Sequence, residues 1–229
     1  MHSKLADAPC HPLGSTEILA DLYKLVLSNF KDETLRTFID YFFKREDIAA
    51  TFFNAPGARS DERGHHSFKG GLAYHTLTVA LLATRISDHY NALSMTNDTD
   101  LVIAGVMLHD IGKIDSYEWN EKLTADGPGR YTHTEIGKLH HHIPIGFHKV
   151  LTAIEDFNAE KEYLRQPGLS REIADQLGHI ILSHHGRKSW SSPVTPQNVE
   201  AYIVHSVEMM DSYVYKFNRG DDVRSIYDN

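Results

Sequence analysis

Cysteine is nearly missing from this chain of 229 residues, where Cys10 stands alone. One thiol closes no intramolecular disulfide and builds no Cys-rich zinc site, so any bound metal must be held by histidines and carboxylates. A basic excess is missing too. Lys and Arg number 23 against 31 Asp and Glu, and the formal net charge of -8 argues against a broad basic surface for duplex nucleic acid. No apolar run approaches the roughly 18 to 20 residues of a membrane span. The opening "MHSKLADAPCHPLGSTE" has no apolar signal region. These absences predict a cytoplasmic setting with no membrane association. Internal repeats and low-complexity segments are also lacking.

What the chain has in quantity is histidine, 16 residues of it. A composition of 41% hydrophobic and 24% charged residues supports a sizeable core. Residues 1–14, with Pro9, Pro12 and Gly14, read as a flexible lead-in. Short amphipathic helices are predicted over 16–30, 33–43 and 46–53, within an N-terminal unit of 15–58 packed on the core. The loop "NAPGARSDERG" ends them. Helix-period apolar stripes then predict helices over 71–91, 98–112, 139–157, 170–185 and 196–218. Ser170 is positioned to cap one of them, and Thr195 with Pro196 to start the last. Between Asp115 and Thr132, "ADGPG" flanked by aromatic and β-branched residues reads as a small hairpin or ordered loop. The fold class expected is all-α, a helical bundle over 59–218 with a minor β insertion and a tail at 219–229.

Register separates structural histidines from candidates for chemistry. His75 lies three residues after Leu72 and four before Val79, on the stripe that continues through Leu82, Ile86 and Tyr90. In "GVMLHDIGKID", His109 and Asp110 close an almost wholly apolar run. Of the triplet "HHH" only His142 falls on the stripe Leu139, Ile143, Phe147, while His140 and His141 fall off it. His184 and His185 end the stripe of Ile173, Leu177, Ile180 and Ile181. Asp211 sits among Val204, Val207 and Val214. A bare carboxylate on an apolar face is costly unless a cation or hydrogen bond meets it.

Seven inward residues on five helices, with no comparable set of inward Lys or Arg, point to shared cations. Five imidazoles and two carboxylates exceed what one open divalent site needs. They suit two ions, which in such sites lie roughly 3.5–4 Å apart, with Asp110 as the bridging ligand. The metals fitting such ligands are Mn, Fe, Ni or Zn.

The order H, HD-x-GK, H, HH, D resembles the HD-domain phosphohydrolases. "GHHSFKGGLAYHTLTVALLA", "AGVMLHDIGKI", "GKLHHHIPIG" and "IILSHHGRKSWSSPVTP" are similar to the HD domain of the YhaM-type 3′-to-5′ exoribonucleases over roughly residues 45–217. The resemblance implies that His75, His109, Asp110 and Asp211 hold a first metal, and Asp110, His142, His184 and His185 a second. It implies further that Lys113 faces a substrate phosphate, that His65 and His66 line the site, and that Lys69, Arg187 and Lys188 add positive charge at its mouth. The reaction implied is hydrolysis of a phosphoester in a nucleotide or at the 3′ end of short single-stranded RNA or DNA. A hydroxide bridging the metals would attack phosphorus, and a protonated His65 or His66 would assist the leaving alkoxide. That branch carries an N-terminal OB-type domain, whereas helical sequence precedes the core here. Its "GRLLGHI" reads "GKLHHHI" in this chain, and the GYP signature of cyclic-dinucleotide phosphodiesterases is missing. Two other classes fit the same residues: a di-iron oxygenase, and a nucleotide-binding accessory module docking a protein partner through its N-terminal residues and the tail "RGDDVRSIYDN".

Overall fold

Side-chain caps set where most of the longer helices begin. In the computed structural model, which describes residues 12–61, 64–121 and 129–220, Asp32, Asp98, Thr134, Ser170 and Asn198 each accept the backbone N–H three residues on, at 2.8 to 3.2 Å. Each bond satisfies a donor that a helix start leaves without an intrahelical partner. The helices are α1 (Thr16–Leu27), α2 (Glu33–Lys44), α3 (Glu46–Phe52), α4 (Gly71–Ala92), α5 (Thr99–Leu108), α6 (Lys113–Ser116), α7 (Glu135–His140), α8 (His142–Tyr163), α9 (Arg171–Ser183) and α10 (Val199–Arg219), and the five caps start α2, α5, α7, α9 and α10. Strands β1 (Tyr117–Asn120) and β2 (Arg130–His133) pair antiparallel, Tyr117 opposite His133 and Asn120 opposite Arg130. The fold is all-α with the expected hairpin, whose "ADGPG" tip lies largely outside the described residues, as do most of the N-terminal lead and the C-terminal tail.

α5 forms the axis of the core. Its sequence "TDLVIAGVML" is apolar on nearly every side, and all of its residues are buried. α2, α4, α9 and α10 pack around it. Gly105 permits the approach of α9, since a Cβ there would lie 2.7 Å from Ile180 Cδ1. The N-terminal helices join the same core: α1 packs on α4, α2 on α5 and α8, and α3 on α6. Phe38, Phe42, Phe52 and Phe157 are fully buried there, with the rings of Phe38 and Phe157 5.4 Å apart. Each such side chain contributes roughly 1.5–3 kcal/mol by leaving water.

Three boundaries and one buried face differ from the pattern-based reading. The stretch 139–157 is not one helix: the chain breaks at His141, with φ 62°, between α7 and α8, and Leu139 is 77% exposed. α5 stops at Leu108 instead of running to 112, and a tight turn carries His109 and Asp110 into α6. The last helix begins after an Asn198 cap, three residues beyond Thr195 and Pro196. Val214 is 54% exposed, so Asp211 stands at the edge of the apolar face of α10. Local hydrophobic period is blind to all four, because each is set by a turn or by what packs opposite.

Candidate metal centre

The break after α5 puts Asp110 at the convergence of four helix ends. Gly112 makes this possible. A Cβ there would lie 2.0 Å from His142 O and 2.6 Å from Gly146 N, so only glycine lets the turn meet the start of α8. Asp110 is 1% exposed, and its two oxygens face different groups. Oδ2 lies 3.2 Å from His109 Nε2, 3.8 Å from His75 Nε2 and 2.5 Å from Lys113 Nζ. Oδ1 lies 3.4 Å from His142 Nε2 and 3.5 Å from His184 Nε2.

None of these contacts has hydrogen-bond geometry. Lys113 ion-pairs with Oδ2, but among the described residues neither Asp110 oxygen nor the Nε2 atom of His75, His109, His142 or His184 has a hydrogen-bond partner, and all are buried. Buried polar atoms seldom stay unpaired. Two ligand atoms bound at about 2.1 Å to one tetrahedral or octahedral cation stand roughly 3.0–3.5 Å apart, which is the spacing of His109, His142 and His184 from Asp110, with His75 slightly farther at 3.8 Å. Asp100, the other buried aspartate at α5, shows the contrast. It accepts the backbone N–H groups of Lys31 and Asp32 and needs no cation.

The opposite ring nitrogens are committed in all of these rings but His142, whose Nδ1 has no hydrogen-bond partner among the described residues. His109 Nδ1 donates to Val106 O at 2.6 Å and His184 Nδ1 to Ile181 O at 2.8 Å. Both histidines follow the last residue of a helix, where carbonyls lack an intrahelical partner, so the same bond caps the helix and fixes the tautomer. His185 Nδ1 donates to Trp190 O at 2.6 Å. His75 Nδ1 donates to Asp211 Oδ2 at 2.7 Å. In each ring the Nε2 lone pair is left as a ligand, the orientation that outer hydrogen bonds give to metal-binding histidines.

Electrostatics keep His142, His185 and Asp110 in ligand form. Burial pushes the His142 imidazole well below its ordinary range. Burial, assisted by the neighbouring His184, takes His185 down to about 2. Burial works to raise the Asp110 carboxyl, but the Lys113 ammonium and His109 outweigh it and hold the group well below the usual carboxylate range. Burial works to lower Lys113, and the Asp110 charge more than reverses this. His142 and His185, neutral beside an ionised carboxylate, need lose no proton to bind a cation; at His109 burial works to lower the ring, but Asp110 outweighs it, so that imidazole keeps its proton to higher pH than usual.

Three groups of side chains bring possible ligand atoms within 4.8 Å of one another: His75, His109 and Asp110; His142, His184 and His185; and His65, His66 and His75. His65 and His66 are both buried, their Nδ1 atoms 3.1 Å apart. Burial takes His66 down to about 3 and lowers His65 strongly, so neither holds a proton near neutral pH. Lys113 corrects one expectation. It is an inward cation, 4% exposed, and it rests on Asp110. Arg187 and Lys188 are exposed beyond His185, and Lys69 is part-buried.

Two side chains escaped the sequence reading. Glu208, one turn before Asp211 on α10, is 5% exposed, its Oε2 has no hydrogen-bond partner among the described residues, and its charge reaches both His109 and Lys113. Its place beside Val204 and Val207 on the apolar stripe is the signal that would have found it. His141 lies off its stripe, yet its ring meets that of His142 in a tilted contact, centroids 4.3 Å apart. Only the helix break turns it there.

The HD domain family model matches residues 72–208. Among curated proteins, the chain is 33% identical over 202 residues to a 3′-5′ exoribonuclease YhaM of Bacillus velezensis, covering 82% of this chain and 56% of that protein. It is 30% identical over 208 residues to the protein of that name from Bacillus subtilis, covering 91% and 57%. It is 34% identical over 168 residues to one from a Geobacillus species, covering 73% and 44%. The chain thus spans about half the length of the curated relatives it matches. No solved structure gives a significant match. With its HD doublet, its inward histidines and more than half its length matched by the family model, this chain belongs to the HD-domain family.

Proposed function

We propose that the chain is a binuclear-metal phosphohydrolase, cleaving a phosphoester in a nucleotide or at the 3′ end of a short single strand of RNA or DNA. The observation that carries this reading is the divided Asp110 carboxylate, with one oxygen toward His75 and His109 and the other toward His142 and His184. The relatives named as 3′-5′ exoribonucleases support the substrate class.

On this reading His75, His109 and Asp110 hold one cation, and Asp110, His142, His184 and His185 the other. Glu208 supplies the α10 carboxylate of the first set, while Asp211, expected from sequence to ligate directly, orients His75. Two divalent ions of the Mn, Fe, Ni or Zn group supply Lewis acidity toward phosphoryl oxygens and an acidified water at neutral pH. Lys113, its Nζ 2.5 Å from Asp110 Oδ2, would offset negative charge arriving with a phosphate. His65 and His66 line the site as candidates to assist the leaving oxygen, and burial favours the neutral form of both before substrate arrives.

The test is elemental analysis of untagged protein, then assay on bis-p-nitrophenyl phosphate and on short RNA and DNA beside Asp110→Ala. Two metals per chain with turnover that the variant lacks, in anaerobic buffer as in air, is the expected result. Equal turnover by the variant, or turnover that requires O2, sinks the reading.

A further inference from the structure

The metal cluster is tied to a surface turn whose side chains have no part in holding a cation. After His185 the chain reverses at Gly186, with φ 77°, where a Cβ would lie 2.3 Å from the His205 ring. It then forms a short 3-10 turn, Lys188–Trp190. The Trp190 carbonyl accepts the His185 Nδ1–H, so the backbone of this turn orients a ring of the cluster. The far side is clamped as well. Ser192, 2% exposed, donates its backbone N–H to Arg187 O at 3.2 Å and its hydroxyl to Leu182 O at 3.2 Å.

On this rigid turn the Arg187 guanidinium carbon lies 4.7 Å from the centroid of the Trp190 ring. Arg187 and Lys188 are exposed and Trp190 is part-buried. Among the described residues no carboxylate forms an ion pair with Arg187, so the cation is held by the indole. A guanidinium laid on an aromatic ring presents a flat outer face, and flat cationic faces are surfaces on which unstacked bases settle.

We propose that Arg187 and Trp190 form a stacking platform for the nucleobase of the nucleotide whose phosphate lies at the His142, His184 and His185 pole. This rests on the phosphohydrolase reading and adds to it the part of the substrate that is gripped. The platform selects nucleotides over other phosphoesters and tolerates any base, since each has a π face. Arg187 acts here through its plane and not only its charge.

The experiment uses metal-loaded Trp119→Phe protein, which leaves Trp190 as the one indole of the chain's two. It is titrated with a DNA tetranucleotide bearing either adenine or an abasic sugar at its 3′ end. The adenine-bearing strand should quench Trp190 emission and bind roughly 5- to 150-fold more tightly than the abasic one, the range that stacking of one base provides. Trp190→Ala and Arg187→Ala should erase most of that ratio, Trp190→Phe should keep much of it, and Arg187→Lys should not restore it. In turnover the loss should fall on KM. Equal binding of the two strands, or full rescue by Arg187→Lys, overturns the platform. Because binding is read without cleavage, an absence of hydrolysis would sink the phosphohydrolase reading alone.

Discussion

Asp211 accepts the Nδ1 proton of His75 at 2.7 Å across 136 residues of sequence, and so decides which nitrogen of that ring faces Asp110. Burial works to raise the Asp211 carboxyl, but the His75 hydrogen bond and nearby imidazoles outweigh it and leave the group ionised at lower pH than usual. α10 thereby orients a donor on α4.

Asp211→Asn should weaken one cation by roughly 10- to 100-fold, the usual cost of losing an outer carboxylate, and leave it bound at saturating metal. Glu208→Gln should remove a donor and lower stoichiometry from two to one. Metal titration followed by elemental analysis separates the two; the reverse pattern would make Asp211 the ligand and Glu208 the support.

Asp110→Asn should abolish binding of both cations, since each oxygen serves a different histidine set. It also strands the buried Lys113 ammonium, and breaking a buried ion pair from one side costs about 3–5 kcal/mol. Asp110→Asn with Lys113→Met should recover most of that stability and none of the metal. Urea denaturation of metal-free proteins reads the first effect, elemental analysis the second.

Acid should destabilise the metal-free protein early. His65, His66, His142 and His185 have folded-state pKa values below 6.5, so under pH 6.5 the unfolded chain takes up protons that the folded one refuses. Each contributes a loss of about 1.4 kcal/mol per pH unit as pH falls toward its folded value. His109 acts in the other window. Burial works to lower it, but Asp110 outweighs burial and raises it, so its contribution is present below pH 6.5 and lost as pH rises through the folded value. Denaturation midpoints between pH 8 and pH 5 check both slopes; a flat profile below pH 6.5 would contradict the neutral histidines.

Gly112→Ala should push the turn after Asp110 away from α8, because its Cβ would lie 2.0 Å from His142 O. Overpacking of this kind costs about 1–3 kcal/mol. The cation at the His142, His184 and His185 pole should be lost first, visible as a stoichiometry of one. Two metals at wild-type affinity would show that the close approach does not position His142.

Much of this molecule was legible in its sequence. The stripes of α4, α5, α9 and α10 announced buried helices, the Ser170 cap placed the start of α9, and the register of His75, His142 and His184 turned them inward. These features rest on periodicity and local hydrogen bonding, which a dozen consecutive residues determine. The HD doublet at the end of an apolar run already demanded a positive partner. Tertiary structure alone decided what meets what: Lys113 resting on Asp110, Asp211 on His75, Glu208 left, among the described residues, without a hydrogen-bond partner at Oε2, and His141 turned onto His142 by a break its apolar period concealed. Periodicity states which face of a helix is buried. Which atoms face one another across the core depends on turns such as Gly112 and on the ends of helices far apart in the chain, and packing settles both.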